Sequence, residues 1–268
     1  MICWANELGG CDRISREHPY SKSLWERADH KKPLIAESQH RTWTMIGGIE
    51  SASSKILCRN HNSLLSGLDA EVGKLRALAR YRESGIGEDI AIDGPLFTRW
   101  CIKAFVGFLV TGWVGVPKNS ISIPKKVVEL AFGQRDITHT MMGIYTCLNL
   151  SSTSDSNYDI GVATIARAWG SGDSPVFPGA EIRLHGFSVF LWLGDSPIPD
   201  DYIRDITLGV PQLRELIFRP IGFTSIHPTT RQQLTVRIVW PQNINKNMLA
   251  YRHLQTQRFA LEYGLMAH

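Results

Sequence analysis

The sequence predicts an α+β fold in two parts. An N-terminal module covers residues 1–85, of which residues 1–62 are too poor in apolar residues to fold without a staple, and a C-terminal α+β domain, residues 92–268, carries a mainly antiparallel sheet. Three observations lead there. Residues 1–62 hold three of the five cysteines and four of the nine histidines but show little apolar periodicity. Between residues 66 and 133 apolar side chains recur at helical spacing. From Gly143 onward, short apolar runs alternate with Gly, Pro, Ser and Asp clusters, the pattern of strands and turns.

Taken in order, Ser54 to Cys58 reads as a short strand. Ser66 with Asp69 three residues on resembles a capping box, and Leu68, Val72, Leu75, Leu78 and Ala79 share one helical face, so a helix is expected from there to Ser84-Gly85. Residues 84–94 read as a linker or boundary. A helix is expected over 95–111, with Trp100, Ala104, Phe108 and Thr111 on one stripe. Another starts at Ser122 with Pro124 in its first turn and stops at Gly133. Strands are expected at 143–150, 160–169, 181–193, 214–224 and 232–240, and a closing helix at 245–263.

Composition excludes several classes. Hydrophobic residues make up 43% and charged residues 20% of the 268, which is neither disordered nor fibrous. The net charge of +4 is compatible with nucleic acid as a partner without arguing for it. The longest uncharged apolar run, Ala104 to Val116, falls short of the ~20 residues a membrane span needs. Five scattered cysteines do not read as a disulfide framework. A soluble, cytoplasmic protein is expected, with no membrane partner.

Cys3, Cys11, Cys58 and His61 form the strongest chemical pattern. Cys58-Arg59-Asn60-His61 is a C-x-x-H knuckle at a strand end, where a thiolate and an imidazole point at one spot, as tetrahedral Zn²⁺ requires. Cys3 and Cys11 are the other two candidate ligands, and Gly9-Gly10 between them lets the chain fold back. The competing reading is three unpaired thiols. Cys101 and Cys147 sit in apolar patterns and read as ordinary buried cysteines.

Two strings then bring a family to mind. Ile14-Ser15-Arg16-Glu17-His18-Pro19 resembles the Glu-His string of zinc-bearing HNH (His-Me finger) endonucleases. Leu57-Cys58-Arg59-Asn60-His61-Asn62 resembles their L-C-x-x-C-N string, with His61 in place of the second cysteine. The downstream Leu65 to Glu71 looks like the extension in an uncharacterised bacterial branch of that family, so the resemblance covers about residues 3–82. It implies a ββα-metal module with a structural zinc, and a hairpin and helix that bracket one catalytic Mg²⁺ or Mn²⁺. By the same resemblance His18 is the general base, and Glu17 and Asn62 hold the catalytic cation. The chain departs from the pattern in the wide Cys3–Cys11 spacing, in His61, and in the 39 residues between His18 and Cys58. That insertion, with Lys31, Lys32, Arg41 and Trp43, is either a DNA-contacting loop or plain elaboration.

The chemistry suits these residue types. A neutral imidazole can take a proton from water near neutral pH. A hard cation held by carboxylate and amide oxygens offsets charge that develops on a phosphate. The implied activity is metal-dependent hydrolysis of phosphodiester bonds in DNA. The alternative is a non-catalytic, zinc-stapled nucleic-acid-binding or protein-interaction module, in which Asn62 is only a helix-start residue. No G-x-S-x-G, P-loop or H-E-x-x-H string competes. In the second half, Trp100, Lys103, Trp169 and Trp192 either line a binding surface or fill the core. That half would guide the nuclease, sense a ligand, or contact a protein partner or a second copy.

Overall fold

The computed structural model describes residues 3–24, 34–38, 41–45, 53–112, 121–138, 140–146, 160–165, 178–184, 187–194, 198, 219–227, 229–244 and 249–253. Within them the fold is mixed α+β, with three sheets around a central helix.

The N-terminal part begins with β1 (Ile14–Glu17), followed by the hairpin β2 (Leu34–Ser38) and β3 (Arg41–Met45) and then β4 (Ser54–Cys58). β1 and β4 pair antiparallel, with Ile14 opposite Cys58 and Ser15 opposite Leu57, and an irregularity before Glu17. The chain turns from β4 straight into α1 (Arg59–Gly73), then into α2 (Arg76–Ser84). Helix start therefore lies at Arg59, seven residues before the expected capping box. Cys58 caps α1, while the Ser66 hydroxyl only returns to the Ser63 carbonyl at 2.7 Å. The Asp69 carboxylate turns to another element altogether. The single expected helix is broken at Lys74-Leu75, and α2 ends at Gly85 in the left-handed region, φ 69°.

Residues 84–94 are not a bare linker. They contain β5 (Ile90–Asp93), which pairs in parallel with a distant strand. α3 (Gly94–Thr111) starts where the Asp93 carboxylate accepts the Leu96 N–H at 2.8 Å, with Pro95 in the first turn. Every residue from Trp100 to Thr111 is buried, so α3 is enclosed on all sides. Pro19, one residue past His18, lies against Gly107 of this helix, and a Cβ there would meet the Pro19 Cβ at 2.8 Å and its Cα at 3.1 Å. Gly107→Ala is expected to cost about 1–3 kcal/mol by overpacking. Urea unfolding checks it, since an unchanged midpoint would mean the contact has slack.

α4 (Lys125–Ala131) follows, shorter than expected, with Pro124 just before it. Strands β6 (Gly143–Thr146), β7 (Ile160–Ile165), β8 (Gly179–Leu184), β9 (Phe187–Trp192), β10 (Arg219–Ile226), β11 (Gln233–Val239) and β12 (Leu249–His253) complete the described chain. The larger sheet runs β3-β2-β7-β8-β9-β6 and is antiparallel except for β2 with β7, so the mainly antiparallel expectation holds there. The smaller sheet runs β12-β10-β11-β5, and only its β10–β11 pair is antiparallel. Two expectations change. The run 181–193 is a hairpin, β8 and β9, and residues 249–253 of the expected closing helix form β12 beside β10. Backbone pairing along an open strand edge outweighs a weak helical pattern there. Residues 254–263 of that expected helix, together with Lys31, Lys32, Cys147 and Trp169, lie outside the described residues.

One core cluster extends from Cys3 and Trp4 to Val236 and Ile238, across the expected domain boundary. Tyr81 of α2 donates its hydroxyl to the Gln232 carbonyl and accepts the His227 N–H at 2.8 Å. Glu71 of α1 accepts the Asp93 N–H at 2.7 Å. Trp100 and Trp192 are wholly buried in this core. Among the described residues no helix is long and apolar enough to cross a membrane.

Candidate metal centre

Local backbone geometry brings the four ligands together. Trp4 donates its N–H to the Ile56 carbonyl at 3.1 Å and pins the Cys3 segment alongside β4. A single 3-10 turn, Asn6–Leu8, follows, and Gly9 and Gly10 then adopt φ of 74° and 68°. Only glycine enters that region freely, so the pair reverses the chain and returns Cys11 toward Cys3. The first turn of α1 fixes the returning loop. Asn60 donates its side-chain amide to the Gly10 carbonyl at 2.9 Å and its backbone N–H to Asp12 at 3.0 Å, and Arg59 N–H reaches the Arg13 carbonyl at 2.9 Å. The seven intervening residues are thus a closed loop.

The His61 Nδ1 atom lies 3.3 Å from the Cys3 Sγ, 3.5 Å from the Cys11 Sγ and 3.2 Å from the Cys58 Sγ. All four ligand atoms fall within 4.8 Å of one another. Tetrahedral zinc, with Zn–S near 2.3 Å and Zn–N near 2.0–2.1 Å, separates its ligands by about 3.5–3.8 Å. The cluster could hold a metal ion and is compatible with a structural zinc site. Cys3, Cys58 and His61 are buried, and only Cys11 reaches the surface. The His61 backbone N–H points at the Cys58 Sγ, 3.4 Å away. Without a cation, desolvation and the neighbouring Cys3 thiol push Cys11 up to about 12. A divalent cation reverses that preference.

Aromatic rings tie the centre to the rest of the chain. Phe132, just past α4, meets the His61 ring edge-on at 5.3 Å and the Trp4 ring at 5.6 Å.

The other predicted residues lie at the opposite end of β1 and on the first turns of α1. Glu17 is the last residue of β1 and is buried, and His18 follows it, half-buried. Asn62 donates its side-chain N–H to the Arg16 carbonyl at 3.3 Å and to the Ser15 hydroxyl at 3.5 Å, beside Glu17, whose carboxyl its amide lowers. Glu17 and Asn62 are therefore neighbours across the strand–helix junction, with His18 next in the chain. As donor chemistry, a carboxylate beside a side-chain amide suits a hard cation.

A cation already sits against that carboxylate. The Lys103 ammonium, from the middle of α3 and 1% exposed, lies 2.5 Å from Glu17 and 2.6 and 2.8 Å from the two Asp69 oxygens. Ser21 donates its hydroxyl to Asp69 and accepts the Trp100 indole N–H at 2.7 Å. Burial disfavours the ammonium, but Glu17 and Asp69 together outweigh it and hold Lys103 above its ordinary value. Burial raises Glu17 more than Lys103 lowers it.

Sequence reasoning did not find Asp69 and Lys103 as partners. The available signal was a lone lysine within an otherwise apolar helical run, because a buried ammonium requires an acid.

No protein-family profile, curated protein or solved structure matches the chain.

Proposed function

We propose that residues 1–85 form an HNH-type endonuclease module that hydrolyses phosphodiester bonds in DNA. The observation that carries this reading is the hydrogen bond of Asn62 to the Arg16 carbonyl at the β1–α1 junction, which sets it beside Glu17 and His18 on the same strand pair and helix as the four-ligand cluster. In this reading zinc at Cys3, Cys11, Cys58 and His61 is structural and keeps the β1–β4 pair on α1. Glu17 and Asn62 hold Mg²⁺ or Mn²⁺, which supplies Lewis-acid stabilisation of the phosphate. His18 accepts the proton of the attacking water. Gly107, by admitting Pro19 close to α3, fixes where His18 leaves the strand.

The test is nicking of supercoiled plasmid by the zinc-loaded chain with Mg²⁺ or Mn²⁺. His18→Ala is expected to reduce the rate by about 100-fold or more, with zinc content unchanged. Nicking that survives the substitution would remove His18 from its role.

A second reading is favoured by one observation, the burial of Glu17 against Lys103. Here the carboxylate is a structural partner and the module binds nucleic acid or protein without cleaving. DNA binding without metal-dependent nicking, in both the native chain and His18→Ala, would establish it.

A further inference from the structure

Of the three sulfurs in the four-donor cluster, one is open to solvent. Cys3 and Cys58 are buried, at 2% and 0% exposure, and Cys11 lies at the surface just past the Gly9-Gly10 reversal. The three sulfurs lie within 4.8 Å of one another. A small oxidant arriving from solvent meets Cys11 first, and a second sulfur is at hand to react with the product. The two buried sulfurs are held differently. Cys58 ends β4, opposite Ile14 of β1, and caps α1, so the chain on both sides of it is fixed by backbone pairing. Cys3 shares a short closed loop with Cys11, and the turn of that loop is made by two glycines. Their torsions change at little steric cost, which lets Cys11 approach Cys3 while β4 and α1 stay in place.

We propose that Cys11 and Cys3 form a peroxide-oxidisable dithiol, in which Cys11 is the sulfur that reacts and Cys3 the one that resolves it. The Cys11 sulfur attacks one oxygen of hydrogen peroxide. An S–O bond forms, the O–O bond breaks, hydroxide leaves, and the sulfur is oxidised by two electrons to a sulfenic acid. The Cys3 sulfur then attacks the Cys11 sulfur. An S–S bond forms, the S–O bond breaks and a second hydroxide leaves. The protons given up by the two thiols turn both hydroxides into water, so peroxide is reduced to water as the dithiol is oxidised. Only Cys58 and His61 then remain as donors, too few for a closed tetrahedral site, and zinc is lost. A thiol reductant reverses the step by exchange. This last consequence rests on the structural-zinc reading, and nothing in the proposal rests on the nuclease reading.

The test treats the full, zinc-loaded chain with hydrogen peroxide, reads zinc release with a chromogenic chelator, and maps disulfides after trypsin. Trypsin cuts after Arg13, Lys55 and Arg59, which leaves Cys3 and Cys11 on one peptide and Cys58 on the peptide of residues 56–59. The expected product is the peptide ending at Arg13, lighter by two hydrogens and formed in step with zinc release. The peptide of residues 56–59 is expected to stay unlinked, and Cys101, buried in α3, to stay reduced. Dimedone, which traps sulfenic acids, is expected to label Cys11 before either buried sulfur. Cys11→His keeps a zinc donor without the reactive sulfur, and is expected to form no such disulfide and to retain its zinc under the same treatment. Mapping of the native chain decides the matter if Cys11→His does not fold.

A disulfide from Cys11 to Cys58, dimedone first on Cys3 or Cys58, or Cys11 carried to sulfinic acid while Cys3 stays reduced would overturn the proposal and leave the zinc reading in place. So would a Cys101 that oxidises before Cys11. A Cys3–Cys11 disulfide formed by a chain that carries no zinc would support the dithiol and overturn the zinc reading.

Discussion

Removing zinc from the site proposed at Cys3, Cys11, Cys58 and His61, or replacing one of these candidate ligands by Cys58→Ala, is expected to lower the melting temperature by about 10–20 °C and to release residues 3–24 from α1. Structural zinc is worth about 10–16 kcal/mol in isolated zinc modules. A whole domain is stable by only about 5–15 kcal/mol. Even a fraction of the metal term is therefore a large share of the total. Packing of Phe132 against His61 and Trp4 extends the effect to the end of α4. The measurement is thermal unfolding with and without a zinc chelator, with metal content assayed on the same sample. Amide exchange should accelerate at Leu8, Gly9, Arg59 and Asn60, whose N–H groups are bonded within or onto the ligand loop. A chain that loses its metal and keeps its melting temperature would show that the core alone holds these segments.

Lys103→Met is expected to cost about 3–5 kcal/mol at neutral pH, because it leaves Glu17 buried without its counter-charge. The pH dependence follows from the directions of the shifts. Lys103 is raised in the folded state, so its contribution is complete below its ordinary value near 10.5 and is lost as pH rises through the raised one. Glu17 is also raised, by burial, and losing the ammonium raises it further. A raised carboxyl favours the folded state when protonated. The stability of Lys103→Met should therefore climb as pH falls toward the ordinary Glu value near 4.5, and its deficit against the native chain should shrink. Denaturant titrations at several pH values check this. Adding Glu17→Gln to Lys103→Met should recover part of the loss at neutral pH and flatten the dependence. A deficit that does not change with pH would mean the ion pair is not the cause.

The features legible in the sequence were those with local causes. Cys58-x-x-His61 at the end of Ser54–Cys58 gave two ligands in one turn, and Gly9-Gly10 announced the chain reversal that returns Cys11 to Cys3. α3 was legible because its apolar run is bounded by Asp93-Gly94-Pro95 and Gly112, a cap at one end and a left-handed stop at the other. Strands β6, β7, β10 and β11 followed from short apolar runs between turn residues, whereas the single run expected at 181–193 divided into β8 and β9.

Elements that failed had long-range causes. Ser66 and Asp69 have the spacing of a capping box, but Cys58 already caps the helix, and Asp69 is held by Lys103 and Ser21 instead. Residues 84–94 look like a linker because β5 is only four residues long, and its partner β11 lies some 140 residues downstream. Tyr251 and its neighbours fit a helix by composition, and became a strand because β10 offered an unpaired edge.

By itself, the sequence determined the donor chemistry: three thiols and an imidazole that suit a tetrahedral cation, and a Glu-His pair with an Asn that suits oxygen-ligand and base chemistry. It did so because residue type and short spacing decide what an atom can bind. Only the tertiary structure decided what those groups meet. It brought Cys3 and Cys11 to the His61 imidazole through hydrogen bonds from Trp4, Arg59 and Asn60, and it put the Lys103 ammonium from α3 between Glu17 and Asp69. The physical reason is that a charge's partner inside a protein is chosen by which elements pack together, and that choice depends on burying the apolar faces of α1, α3 and the sheets around them.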